Sequence, residues 1–144
     1  MDTELVARLR AVIPRLARVL NDTSTGEDLT PTQYSVLALV RVRGPIGLTE
    51  LTELEGLNPT MLSRVIRVLD DAGLIRRLTD PSDMRVARLE ITTAGAQMHE
   101  RIRERRTGVL TECLNRLPPD TAAALLENVP ALEALAEAVR PVNR

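Results

Sequence analysis

Apolar residues recur at three- and four-residue steps along the first half of the chain, the spacing that places side chains on one face of an α-helix. This pattern predicts helices over residues 3–21, 30–43, 48–55 and 58–72. Thr30 and Asn58 can cap two of these helices, and each is followed by a proline, which suits the first helical turn. Pro14 falls inside the first helix and predicts a kink or a split there.

The pattern changes at Gly73, a residue suited to the positive φ with which many helices end. Residues 74–79 and 86–91 have the composition of strands, and apolar and polar residues alternate in the second segment. The Asp-Pro-Ser-Asp segment at residues 80–83 is typical of a turn. The sequence therefore predicts a two-stranded β-hairpin directly after the fourth helix, which makes a winged helix-turn-helix.

Two more helices are predicted after the hairpin. Thr92 can cap a long helix that runs to about residue 117, and residues 121–139 form another, in which Pro130 marks a kink or break. The helices at both ends of the chain are more apolar than a small wing domain can cover, so we expect them to pair with a second copy. The predicted fold is mainly α with a small β-hairpin wing. Residues 29–92 form the winged helix-turn-helix, and residues 1–28 and 93–144 form dimerisation helices.

Arginines are frequent on the fourth helix and on the hairpin. A polar helix face can reach base edges in a major groove, and a basic hairpin can reach phosphates or the adjacent minor groove. The candidate contacts from the helix are Thr60, Ser63, Arg64 and Arg67. The candidate contacts from the hairpin are Arg76, Arg77, Arg85 and Arg88. Double-stranded DNA is therefore the predicted partner.

Four motifs follow one another in this region. They are a Gly56-Leu57-Asn58 turn between two helices, Asp-Ala-Gly-Leu-Ile-Arg-Arg at residues 71–77, Asp-Pro-x-Asp-x-Arg at residues 80–85, and an apolar residue followed by Thr-x-x-Gly at residues 91–95. Their order resembles the MarR family of winged-helix regulators, and the similarity extends over most of the chain. The segment from Asp83 to Arg85 is its most specific part.

The resemblance implies a homodimeric transcriptional regulator, more specifically a repressor, that binds a near-palindromic operator. It implies that Arg64 contacts bases or phosphate from the recognition helix, that Arg85 enters the minor groove and that Arg77 meets phosphate. Asp83 then holds the turn or an arginine in place. It also implies a small-molecule effector bound between the dimer helices and the wing domain, where Tyr34 is the only aromatic side chain that can form a wall.

Other interpretations of the same residues stay open. Arg67 can pair with Asp70 or Asp71 instead of DNA, and Arg76 and Arg88 can face solvent. Residues 58–92 contain six arginines and five acidic residues, so the local net charge is only +1. The winged face therefore also suits a module that binds another protein without sequence-specific DNA binding. Strong salt dependence of duplex binding distinguishes the two functions.

The composition argues against an enzyme, a metal site or a cofactor. The chain has one histidine, His99, and one cysteine, Cys113, which leaves no cysteine cluster, no intramolecular disulfide and no evident nucleophile and base. Cys113 lies on an apolar helical stripe, as a core thiol does, and residues 101–106 are expected to form a solvated, ion-paired helix face. Because the chain has neither a membrane-length apolar run nor a signal-peptide pattern, we expect a cytoplasmic protein without a membrane partner.

Overall fold

The structure is a computed structural model that describes residues 1–22, 29–79, 82 and 87–139. Its helices are α1 (Thr3–Asp22), α2 (Pro31–Arg43), α3 (Leu48–Glu55), α4 (Pro59–Asp71), α5 (Thr93–Asn115), α6 (Pro119–Glu127) and α7 (Val129–Ala138). Its strands are β1 (Ile46–Gly47), β2 (Ile75–Thr79) and β3 (Ala87–Ile91). The predicted mainly helical winged fold is confirmed.

The predicted helix caps are present. The Thr30 hydroxyl accepts a hydrogen bond from the Gln33 N–H at 3.2 Å, and the Gln33 side chain accepts one from the Thr30 N–H at 3.0 Å. Asn58 Oδ1 accepts a hydrogen bond from the Met61 N–H at 2.8 Å. Each cap satisfies backbone donors that have no partner inside the helix, which is why these residues fix where α2 and α4 begin.

The predicted hairpin is present as the antiparallel pair β2 and β3. The sequence did not predict β1, which adds a third strand and gives the order β1-β3-β2. The additional strand pairs Ile46 with Leu89 and Gly47 with Arg88. Two residues are too few to show an alternating pattern, and only the fold reveals the pairing. Because Ile46 is fully buried, β1 anchors the connection between α2 and α3 to the sheet.

The core joins the winged helix-turn-helix to the first half of α5. It is built from apolar side chains of α2, α3, α4, the sheet and the first half of α5, among them Val36, Leu37, Val40, Leu51, Leu62, Ile66, Leu69, Ile75, Leu89 and Ile102. Leu, Val and Ile supply nearly all of this packing, as the near absence of aromatic residues requires. The core therefore holds α4 rigidly against the sheet and α2.

Helices α1, α6 and α7 contain no buried residue. Seven apolar side chains of α1 are 41–56% exposed: Leu5, Val6, Leu9, Val12, Ile13, Leu16 and Val19. Pro14 was predicted to kink or split α1, and the helix continues through it without a split. The predicted break near Pro130 is present between α6 and α7. In the described ranges, no helix combines the length and the apolar composition that crossing a membrane requires.

The junction between α4 and α5 depends on Thr92 and Gly95. The Thr92 hydroxyl donates to the Gly73 carbonyl at 2.6 Å and accepts from the Gly95 N–H at 3.1 Å, while the Thr92 N–H donates to the Leu74 carbonyl at 3.1 Å. Gly73 has φ 74°, which favours glycine. A Cβ on Gly95 lies 2.0 Å from the Leu74 oxygen, so no larger residue fits unless the backbone moves. These contacts explain the Thr-x-x-Gly motif.

We expect Gly95→Ala to lower the free energy of unfolding by about 1–3 kcal/mol, because the new methyl group overlaps a backbone carbonyl. Gly108→Ala is the matched control on the same helix, since nothing lies within 4 Å of its Cβ position. Alanine favours a helix interior over glycine, so this control is expected to gain about 0.5–1 kcal/mol. Urea unfolding measures both variants, and a Gly95→Ala protein as stable as the control contradicts the assigned contact.

Candidate nucleic-acid interface

The four residues predicted on the recognition helix lie on one surface of α4. Thr60, Ser63, Arg64 and Arg67 are all exposed, whereas the opposite face buries Leu62, Val65, Ile66 and Leu69. This division follows from the three- and four-residue spacing of the apolar positions, which fixes how the helix rotates against the core. The structure therefore places the polar side chains outward.

A tight turn sets the angle between α3 and α4. Gly56 ends α3 in the left-handed region with φ 67°, and its N–H donates to the Thr52 carbonyl at 3.0 Å. Leu51 of α3 is fully buried against the core. Helix α3 thus supports α4 from behind, as the first helix of a helix-turn-helix does.

The wing arginines lie on two faces of the sheet. Arg76 is opposite Glu90 and Leu78 is opposite Arg88 in the strand register, so these four side chains share the outer face. Arg76 forms an ion pair and a hydrogen bond with Glu90, which compensates part of its charge. Arg88 is exposed on the same face. The hairpin does not bring its described arginines together as one basic cluster.

Arg77 points to the other face of the sheet, towards α4. Its Nε lies 3.7 Å from Asp70 Oδ2 at the end of that helix, and its side chain remains 52% exposed. Asp70 therefore pairs with Arg77, and among the described residues Arg67 forms the alternative ion pair with neither Asp70 nor Asp71. In the part of the chain that the structure describes, Arg64 and Arg67 form no ion pair. Asp83 and Arg85, the predicted wing-tip residues, lie outside the described residues.

A second polar cluster joins α2 to α5, and the sequence did not predict it. The Tyr34 ring stacks on the His99 ring with centroids 5.2 Å apart, and the Arg106 guanidinium lies 4.1 Å from the Tyr34 centroid. Arg41 Nη1 donates to His99 Nδ1 at 2.7 Å and to Glu100 Oε2 at 2.9 Å. We call these residues the α2–α5 cluster. It lies where the winged domain meets the long helix.

The structure corrects two expectations about α5. Arg106 contacts Tyr34, so the charged run at residues 101–106 is not solely a solvated face, and Ile102 within it is fully buried. Arg103 does form the expected ion pair, with Glu100 at 2.7 Å. Cys113 is exposed in the single chain and is not a core thiol. The sequence did not predict the contacts of His99, because its partner Arg41 is 58 positions away.

The surroundings of His99 favour the neutral form of its imidazole. Burial lowers the pKa of its imidazole, and the neighbouring Arg41, Arg103 and Arg106 lower it further, whereas Glu100 opposes them. Since a guanidinium can only donate, Nδ1 must accept the hydrogen bond from Arg41, and the neutral ring carries its proton on Nε2. Hydrogen bonds from Arg41 and then Arg103 lower the pKa of Glu100. Protonation of either group is therefore less favourable in the folded protein than in the unfolded chain.

We expect His99 to make the folded protein less stable as the pH falls below about 6.5, the ordinary histidine pKa. As the pH falls, the unfolded chain protonates this histidine before the folded protein does. The contribution of His99 to the free energy of unfolding is therefore fully present above that pKa and declines below it. Urea unfolding of the wild type and of His99→Gln at pH 5 and pH 7.5 measures the effect. The variant should show a smaller loss on acidification, with the remainder due to carboxylates such as Glu100. Equal losses in both proteins contradict the assignment.

Comparisons with known proteins agree with this architecture. A family model described as the MarR family matches residues 29–87. The multiple antibiotic resistance protein MarR of Salmonella typhimurium is 33% identical over 88 residues, and the match spans 61% of each protein. The crystal structure of wild-type MarR from E. coli superposes with a TM-score of 0.72 at 25% identity, covering 98% of each chain. A mutant of S. aureus MepR bound to an oligodeoxyribonucleotide has a TM-score of 0.69 at 14% identity, covering 94% of this chain and 99% of that one.

Proposed function

This chain belongs to the MarR family of winged helix-turn-helix transcriptional regulators, and we propose that it is a homodimeric repressor of a near-palindromic operator. Members of this family are transcriptional regulators and not enzymes. The observation that carries the proposal is the exposed polar face of α4, with Thr60, Ser63, Arg64 and Arg67 outward and the opposite face fully packed. Such a helix fits a major groove, which admits one helix and presents base edges to it.

We assign different contacts to different arginines. Arg64 lies in the second turn of α4, within the N-terminal half from which recognition helices contact bases, and it has no ion pair among the described residues. Arg77 is proposed to contact phosphate beside the helix, and Arg85 to enter the minor groove, as the family resemblance implies. Arg76 forms an ion pair with Glu90, so we assign it a secondary role in DNA binding. Arg88 is placed on the outer face of the wing, with Arg76.

Dimerisation is supported by what the single chain leaves uncovered. Apolar side chains of α1 and α7 line a groove of about 690 Å³, among them Leu9, Ile13, Leu132 and Leu135. Soluble monomers rarely expose contiguous apolar surface of this kind. A two-fold dimer covers it and also spaces two α4 helices about one DNA turn apart, roughly 34–36 Å. Occupancy of a promoter by such a dimer is sufficient for repression.

We propose that a small-molecule effector releases the DNA. A ligand achieves this only by binding more tightly to a dimer whose recognition helices do not match the groove spacing. The α2–α5 cluster is the suitable region, because Tyr34 and Arg41 of the winged domain meet His99 and Arg106 of α5 there. The Tyr34 ring already has an imidazole and a guanidinium against it, so the ligand must compete with those contacts. Release of operator DNA by benzoate, but not from a Tyr34→Ala variant, tests this part.

The first experiment is selection of bound duplexes from a random library at physiological salt, followed by titration of the selected sequence against scrambled DNA. Enrichment of an inverted repeat that binds far more tightly than the scramble supports the dimeric regulator. The alternative function, a winged-helix module that binds a protein, predicts no enrichment and little salt dependence of duplex binding. Absence of enrichment with and without the effector probe overturns the proposed function.

A further inference from the structure

Met61 is an exposed apolar residue on the polar face of α4. It lies in the first helical turn, where its N–H is bound by the Asn58 cap, and its side chain is 48% exposed. It neighbours Thr60 in sequence and precedes Arg64 by three residues, a spacing that places the two side chains next to each other. At this end of α4, the residue therefore adds an apolar side chain beside the polar Thr60 and the cationic Arg64.

Exposure of this side chain has no packing explanation within the winged domain. Leu62, Val65, Ile66 and Leu69 already fill the inner face of α4, and Met61 lies outside that set. The cap at Asn58 fixes the backbone of this turn, so the side chain keeps its outward position. The Met61 side chain is therefore available to a partner that docks on this part of α4.

The chemistry of the major groove offers one matching group. Thymine is the only standard base that presents a methyl group there, and apolar side chains contact it directly. Resting on the proposed function, we propose that Met61 packs against a thymine C5-methyl group in each half-site and gives the protein a preference for thymine at that position. A flexible thioether suits this contact because it can adapt to the methyl group while Arg64 contacts a neighbouring base or phosphate.

Val68 provides an internal comparison. It is also exposed, at 44%, and lies seven residues after Met61 on the same side of α4. Seven residues move it about 10 Å along the helix, away from the first turn that approaches the bases. Met61 and Val68 are both apolar and exposed, but they differ in their position along the helix. Val68→Ala is therefore a matched control.

The test replaces each thymine of the selected operator in turn with deoxyuridine, which removes only the methyl group. We expect the wild type to lose about fourfold in affinity at one symmetric position per half-site, the effect of one methyl group leaving an apolar contact. Met61→Ala should bind the two duplexes equally, and Met61→Gln, which keeps the helical propensity and the length of the side chain, should do the same. Val68→Ala should keep the wild-type sensitivity.

The outcomes separate this inference from the function on which it rests. If the wild type prefers the operator over the scramble but is insensitive at every thymine, the role of Met61 is overturned and the regulator stands. If both Met61 variants retain the fourfold loss, the proposed role of Met61 is also overturned. If the wild type binds no duplex better than the scramble, the proposed function fails first, and Met61 then belongs to a protein-binding surface.

Discussion

Arg64→Ala is expected to remove most of the preference of this protein for its operator over random duplex DNA. A side chain that contacts base edges contributes about 1–3 kcal/mol of discrimination, which corresponds to roughly 5- to 150-fold in affinity. Arg64 is exposed, has no ion pair in the described chain and projects from the outer face of α4, so its loss costs little folding stability. Fluorescence anisotropy with operator and scrambled duplexes at one salt concentration measures the ratio of the two affinities.

Arg77→Ala is the matched control for that experiment. Its guanidinium lies beside α4 and near Asp70, where we assign it to phosphate, so its removal should weaken operator and scramble alike. The slope of log affinity against log salt should decrease by about one for each lost phosphate contact. Loss of Arg77 also leaves Asp70 uncompensated beside the duplex, and the double variant with Asp70→Asn separates this repulsion from the lost contact. An Arg64→Ala protein that loses affinity equally for both duplexes contradicts the base contact.

Local signals explain how much of the fold the sequence could predict. Caps such as Thr30 and Asn58 act within three residues, and the positive φ of Gly73 depends on one residue, so the helix bounds were predictable to within a few positions. Strand β1 was missed because its two residues form a strand only through pairing with Leu89 and Arg88, more than forty positions later. Pro14 was expected to kink or split α1, and the helix continues through it without a split.

In the candidate interface, too, features set by local spacing were predictable from the sequence, and features set by long-range packing were not. The outward face of α4 follows from the spacing of Leu62, Val65, Ile66 and Leu69, so its polar residues were predictable. The separation of Arg77 from Arg76 and Arg88 follows from the strand register, and the pairing of Arg77 with Asp70 follows from the packing of α4 on the sheet. The α2–α5 cluster depends on two helices far apart in sequence, and no pattern near His99 indicated its partners.

Ile13→Glu is expected to convert the proposed dimer to a monomer. Ile13 is 47% exposed in the single chain and lines the groove between α1 and α7, so a carboxylate there must be buried without a partner if two chains pair over this surface. Because α1 contributes no buried residue to the core, the winged domain should remain folded. Sedimentation at micromolar concentration should show the mass of one chain, with the helical signal in circular dichroism retained.

The loss of dimerisation should have a large effect on DNA binding. In a dimer, binding at one half-site raises the effective concentration of the second recognition helix, which adds about 10²- to 10⁴-fold to the affinity without any new contact. Ile13→Glu should lose that factor on the inverted repeat and almost nothing on an isolated half-site, since α4 is unchanged. Val42→Glu introduces the same charge at a side chain that is 77% exposed on α2, outside the proposed interface, and should remain dimeric. If the Ile13 variant remains dimeric, or if it is monomeric and still binds the full operator tightly, the apolar helices at the chain ends are not what pairs the two recognition helices.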